Sequence, residues 1–362
     1  MRIKKEVRKI VASVLAFLMV VSLIPVNSLM TKANAASKTT FEGGKTVEDG
    51  TWKGWTWNVF GSSTDVTKAF ATDTGNGGVT LEVTGDKGKI NGSASDQGLN
   101  TFLYELDKSY DFTITAQAKV DTLAANAQAA FGLTIRDNVG AHGNTAKLTA
   151  DKNNFAFVGG YGNQAASGHG NAGYKTTALA HTRLGESPEV GGTYDLAIQK
   201  VGDSVKLYFN GEVAAECSAD DLITDNAMYV GLFAARNAKV TFNNVKLAYT
   251  QDSSSVKVTT NVTAPKKTTY CAGNTYEDVD LTGFKATVSV DGKEREITAS
   301  DCVVDMSNDP FAEVTDAGKL NLLYLGQTIE VPITVIKEVV SDMYIEYMPV
   351  KTDYMVTDTA LD

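Results

Sequence analysis

Cysteine is scarce: the 362 residues contain three, Cys217, Cys271 and Cys302. Three thiols do not make a disulfide scaffold, so the fold must be held by its own apolar core. Histidine is as scarce. His142, His169 and His181 show no His-x-x-x-His spacing, which argues against a zinc site. Basic charge is in deficit, with 33 Lys and Arg against 43 Asp and Glu. An acidic chain lacks the positive footprint that nucleic acids and anionic membranes require. Past residue 35 no stretch of a dozen residues keeps a helical period, and none is apolar enough to span a bilayer.

Several catalytic patterns are also missing. Glycosidases built on a sandwich carry paired carboxylates, commonly as Glu-x-Asp-x-x-Glu. The Glu-x-Asp of the first domain is Glu105-Leu-Asp107, and Tyr110 stands where the second Glu is needed. Glu105 opposes the apolar face of its strand and reads as a solvated strand-end charge. No Gly-x-Ser-x-Gly elbow and no EF-hand spacing occur. No catalytic residue is therefore assigned.

The start of the chain is a targeting segment. Arg2, Lys4, Lys5, Arg8 and Lys9 precede an apolar run over 10–26, and Ala33-Asn34-Ala35 is a small-residue cleavage site. Residues 1–35 read as a signal peptide, with the mature chain beginning at Ala36. The alternative is an uncleaved anchor, for which the run is short and interrupted by Pro25. Residues 1–35 hold six Lys or Arg against Glu6, a net +5, so cleavage takes the chain from −10 to −15. A secreted, extracellular or envelope-associated location is expected.

The rest reads as all-β. Val79/Leu81/Val83, Phe102/Tyr104/Leu106, Phe112 to Val120, Phe131/Leu133/Ile135 and Met228 to Ala234 alternate with period two. Val205/Leu207/Phe209 runs into Asn210-Gly211, the strongest short hairpin signal. In the last strand Val240 and Phe242 are even-numbered and Val245, Leu247 and Tyr249 odd. One face stays buried only if a bulge at Asn243-Asn244 absorbs a residue. Residues 163–192 lack a strand core and read as one long loop, with His169, Tyr174 and His181 on it.

The segments Gly202-Asp-Ser-Val-Lys-Leu-Tyr-Phe-Asn-Gly211, Tyr229-Val-Gly-Leu-Phe233 and Val240-Thr-Phe-Asn-Asn-Val245 resemble the C-terminal half of concanavalin-A-like (laminin-G-like) sandwiches. That resemblance implies a jelly-roll β-sandwich over 36–250, and the fold hosts binders and enzymes alike. Residues 251–255 form a polar linker. Residues 256–337 carry Pro265, Lys267, Thr268, Tyr270, Gly273, Leu281-Thr-Gly283 and a closing strand Ile329/Val331/Ile333/Val335. They resemble bacterial immunoglobulin-like (group 3 type) domains. Pro265, Lys267, Thr268, Tyr270, Thr275 and Asp278 recur 84 residues later as Pro349, Lys351, Thr352, Tyr354, Thr359 and Asp362. Residues 338–362 thus read as the truncated start of a second repeat.

Candidate ligand residues follow from these strands. Phe131, Leu133 and Ile135 face the core, so Arg136 is expected on the opposite, open face. There its planar fork is suited to the carboxylate of an acidic glycan, with Asp137 beside it. Tyr161, His169 and Tyr174 would form a rim of the same groove. Trp55 and Trp57 share a core face with Val59, whereas Trp52 is freer to stack on a sugar. Concanavalin-like sandwiches often carry a structural calcium, and Asp65, Asp73 or Asp137 could serve. Cys271 and Cys302 are the candidate disulfide pair, and Cys217 a core residue.

The run Phe131-Gly-Leu-Thr-Ile-Arg-Asp-Asn-Val-Gly140 and the opening Trp57-Asn-Val-Phe-Gly-Ser-Ser63 are similar to accessory sandwiches of exported clostridial pectate lyases. The resemblance implies a carbohydrate-binding module with immunoglobulin-like spacers, in a Gram-positive polysaccharide-degrading protein. Its partner would be a polysaccharide or glycan, and the chain is expected to be monomeric. A surface adhesin or envelope protein is the competing reading, and an enzyme with its site in the sandwich a third. A downstream catalytic domain or a wall anchor would separate the first two; no Leu-Pro-x-Thr-Gly occurs.

Overall fold

The computed structural model describes residues 38–61, 65–90, 97–125, 128–146, 153–161, 170–175, 179–182 and 188–337. Residues 1–35, expected to be a signal peptide, and 338–362, expected to start a second repeat, therefore lie outside the described residues. The chain divides into two compact units, one of residues up to Asp252 except Asn210–Glu212, the other of those three residues and the chain from Ser253.

The first unit is built from β1 (Thr39–Thr40), β2 (Trp55–Phe60), β3 (Ala69–Asp73), β4 (Val79–Val83) and β5 (Leu99–Asp107). There follow β6 (Asp111–Leu123), β7 (Ala130–Arg136), β8 (Phe155–Tyr161), β9 (Gly170–Lys175) and β10 (Leu179–Thr182). It closes with β11 (Thr193–Val201), β12 (Ser204–Phe209), β13 (Glu212–Ser218), β14 (Ala227–Ala235) and β15 (Ala238–Thr250). Eight strands form one sheet in the order β1-β3-β4-β15-β6-β11-β12-β13, and seven form the other in the order β10-β9-β8-β7-β14-β5-β2.

The alternating residues explain how the sheets pack. Leu81, Ile114, Val120, Ile198, Leu207 and Val240 of the larger sheet share one buried cluster with Phe102, Phe131, Leu133, Ile135, Val230 and Leu232 of the smaller. Each such side chain contributes about 1.5–3 kcal/mol on full burial, so this layer holds the sandwich without a disulfide. Trp55 and Trp57 belong to it, as their shared face with Val59 implied. The Asn210-Gly211 turn has φ of 46° and 78°, the left-handed pair that a type I′ hairpin requires. The β15–β6 register slips between Asn243 and Lys246, with Asn244 at φ 52°. This is the bulge demanded by the change of parity along the strand.

The expected long loop over 163–192 is not one loop. β9 and β10 lie within it and extend the smaller sheet at its edge. Their signal was weak because β9 reads Gly-Asn-Ala-Gly-Tyr-Lys. Small residues join a ladder through backbone hydrogen bonds without leaving an apolar alternation.

The second unit has β16 (Lys257–Thr263), β17 (Thr269–Cys271), β18 (Lys285–Val290) and β19 (Lys293–Thr298), then β20 (Val303–Asp305), β21 (Thr315–Tyr324) and β22 (Gln327–Ile336). Its sheets run β16-β18-β19 and β17-β22-β21-β20. Asp291-Gly292, an Asp-Gly pair at φ 51° and 73°, makes the hairpin between β18 and β19. Cys271 ends β17 at one edge of the four-stranded sheet, and Cys302 precedes β20 at the other. Three strand spacings, about 14 Å in all, exceed the roughly 7 Å reach of a disulfide. Both thiols are free, which corrects the expected pairing.

Candidate functional site

Arg136 ends β7, a strand whose Phe131, Leu133 and Ile135 are committed to the inter-sheet core. Its side chain accordingly leaves on the opposite face, but that face is not open. A second apolar cluster of Phe60, Ile90, Leu99, Ala130, Phe155, Phe157, Phe233 and Ala235 lies there. Arg136 has 0% exposure, which overturns its assignment to a solvent-facing groove.

The buried guanidinium is a hub. Its Nη2 donates to Gln97 Oε1 at 2.9 Å and to Asn153 Oδ1 at 2.8 Å, and its Nε to the Asn138 carbonyl at 3.2 Å. The Phe155 and Phe60 rings stand 5.1 and 5.6 Å from Cζ, close enough for cation–π attraction. Nη1 is buried without a hydrogen-bond partner among the described residues. Burial lowers the pKa to about 10, opposed by the charge of Asp137. Asp137 is itself buried. Its Oδ1 accepts from the Asn154 N–H at 3.0 Å and its Oδ2 from Thr224 Oγ1 at 3.4 Å. The pair anchors the ends of strands β7 and β8 and presents nothing to an extended ligand.

The other candidates do not converge on it. Tyr161 pairs with Ala130, and Arg136 with Phe155, at opposite ends of the β7–β8 ladder. Six residues separate them, about 20 Å along the strand. Tyr161 packs against Phe157, and burial raises its phenol. Tyr174 lies in β9 opposite Ala156, and His169 is outside the described residues. Trp52 is 4% exposed; it packs edge-on to Trp55 and Phe102 in the core and offers no platform.

The proposed calcium donors are dispersed. Asp65 accepts from Thr67 N and Oγ1, bonds that hold its carboxyl below its usual range. Asp73 accepts from Gly75 N, and Asp137 is spent as above. Among the described residues no group of three His, Cys, Asp or Glu is placed to hold a metal.

His142 packs at 5.0 Å from Trp57, and its Nδ1 accepts from Val59 N at 3.2 Å. Burial lowers its pKa, opposed by a hydrogen bond with the Trp57 backbone.

A concavity of mixed lining, missed by sequence reasoning, opens on the larger sheet. A cleft of about 400 Å³ is lined by Glu82, Thr84, Thr122, Asn237 and Lys239, among others. Lys239 Nζ stands 3.1 Å from Glu82 Oε2. Between β14 and β15, Arg236 and Asn237 both take left-handed φ, 51° and 42°, in a two-residue turn without glycine. The turn is tied on three sides. Arg236 Nε donates to Gly88 O, Asn237 N to Gly85 O, and Ala124 N to Asn237 O. With its amide oriented to satisfy both groups, the Asn237 side chain also donates to the Thr84 and Gly85 carbonyls. Alternation already turns Glu82 and Lys239 outward. Their pairing across β4 and β15 joins segments far apart in the chain and left no local signal.

No protein-family model matches the chain. Pectate lyase L of Thermoclostridium stercorarium is 29% identical over 311 residues, 84% of this chain. The match spans 23% of that protein, so the chain corresponds to about a quarter of its relative. Among solved structures, a carbohydrate-binding module, CBM66, from Bacillus subtilis covers 59% of this chain and 96% of its own, at 16% identity and a TM-score of 0.29. Lectin II from Ulex europaeus covers 59% and 96%, at 11% identity and a TM-score of 0.35. The chain is an all-β protein similar, over most of its length, to a segment of a pectate lyase.

Proposed function

We propose that the sandwich, residues 36–250, is a glycan-binding module of an exported polysaccharide-degrading protein, that it does not itself cleave glycans, and that residues 256–337 and the repeat beginning at 338 are immunoglobulin-like spacers. The observation that carries this reading is the 29% identity to a segment making up 23% of a pectate lyase. A matched region that is a minor part of a lyase fits an accessory module. The composition supports export: an acidic chain behind a basic, apolar leader with a small-residue cleavage site. Glu105, of the Glu-x-Asp in the first domain, lies opposite Tyr229 across the β5–β14 ladder. The acidic character of the ligand rested on an outward Arg136, and its burial removes that support.

The test is affinity electrophoresis of the chain from Ala36 through gels containing polygalacturonate, arabinan or galactan, with parallel assays for reducing ends and unsaturated uronate. Retention by at least one polysaccharide without product release is expected. Retention by none, or turnover of any, rejects the reading.

A further inference from the structure

The cleft on the larger sheet has a neighbour that bears on its ligand. Phe70 on β3 lies opposite Glu82 on β4, and Glu82 opposite Lys239 on β15, which in turn opposes Thr122 on β6. These four residues form one row across the outer face. Phe70 is 40% exposed, and among the described residues it is the only exposed large hydrophobic side chain that is aromatic, the others being Val or Ile. A single exposed apolar residue needs no explanation. An exposed ring in line with an ion pair and a hydroxyl, beside a cleft, is the combination that sugars require: an apolar face for stacking and a few fixed polar groups.

The row is braced from beneath. Asn100, buried on the facing sheet, donates through Nδ2 to the Phe70 carbonyl at 2.8 Å and the Glu82 carbonyl at 3.1 Å. Its Oδ1 accepts from Trp57 Nε1 at 2.7 Å. The backbone under the ring and the carboxylate is thus fixed across the whole sandwich, and the Arg236–Asn237 turn fixes the far wall. A site held this way loses little freedom on binding.

We propose that this cleft is a glycan subsite for neutral sugars: Phe70 stacks on a pyranose or furanose face, Glu82 accepts from its hydroxyls, and Lys239 and Thr122 supply donors. The proposal rests on the glycan-binding reading above and adds to it the place and the ligand class. Lys239 is already matched by Glu82, so the row carries no net charge. A uronate brought to the row would meet the Glu82 carboxylate, with Lys239 already paired to it.

The experiment compares retention of wild type, Phe70→Ala, Phe70→Tyr and Glu82→Gln on arabinan, galactan and polygalacturonate gels, with melting curves alongside. Wild type should bind arabinan or galactan more strongly than polygalacturonate. Phe70→Ala and Glu82→Gln should each weaken that binding about tenfold or more, as expected when a stacking or charged contact is lost, and Phe70→Tyr should keep it. Melting temperatures should stay near wild type, since both side chains project outward. If wild type binds neutral polysaccharides and both variants bind as well as it does, the site is wrong and glycan binding stands. Preferential binding to polygalacturonate overturns the neutral class. Binding to none of the three overturns both the site and the function on which it rests.

Discussion

Two polar clusters stand on the outer faces of the two sheets and differ in what lies over them. Arg136 leaves β7 on the side away from Leu133 and is sealed under Phe60, Phe155 and their neighbours. Glu82 leaves β4 on the side away from Leu81 and remains partly exposed, paired with Lys239 beside an open cleft. In both, alternation gives the face correctly. It does not say whether that face is the surface of the protein. The buried cluster is a structural brace sealed from solvent; the open one has geometry left for a ligand.

The comparison can be broken first at Arg136. Arg136→Ala removes three hydrogen bonds and strands buried acceptors on Gln97 and Asn153. The expected cost is about 3–5 kcal/mol, the range for breaking a buried charged network. Arg136→Lys should recover little, because a single ammonium cannot reproduce the fork. Denaturant titration measures both. A loss under about 0.5 kcal/mol for the Ala variant would place the side chain at a free surface after all.

A smaller effect is expected at the open cluster. Glu82→Gln breaks a partly exposed ion pair, so stability should change by about 1 kcal/mol or less, and less again at high salt. A loss comparable to that of Arg136→Ala would mean that the cleft is as structural as the brace and would erase the contrast.

The smallest effect concerns His142. Its folded pKa lies below 6.5 because burial disfavours the imidazolium. The unfolded chain therefore takes up the proton first. The stability linked to neutral His142 is complete above pH 6.5 and declines as pH falls below it. Melting temperature should drop more steeply on acidification in wild type than in His142→Gln. Parallel profiles would show that the ring by Trp57 is solvated enough to titrate normally.

Part of the concealed brace was readable in advance. β8 begins Phe-Ala-Phe-Val, and Phe155 and Phe157 share one face while Ala156 and Val158 share the other. A strand apolar on both sides is covered on both sides. Phe60 after Val59, and Phe233 beside Leu232, carry the same message. The disulfide expectation failed for another reason. Cys271 ends β17 and Cys302 just precedes β20, the two edge strands of one sheet, and strand order is a long-range property absent from any local window.

What the sequence determined by itself was local: the type I′ turns at Asn210-Gly211 and Asp291-Gly292, the bulge at Asn243-Asn244, and the inward faces of β7, β12 and β14. Each follows from backbone sterics or a period of two acting over a few residues. Only the tertiary structure decided the neighbours. It laid an apolar layer over Arg136, sent Asn100 across the sandwich to the carbonyls of Phe70 and Glu82, and set Glu82 of β4 against Lys239 of β15. Those outcomes depend on strand order and on the coverage of sheet faces, where contacts between distant segments override what each segment encodes alone.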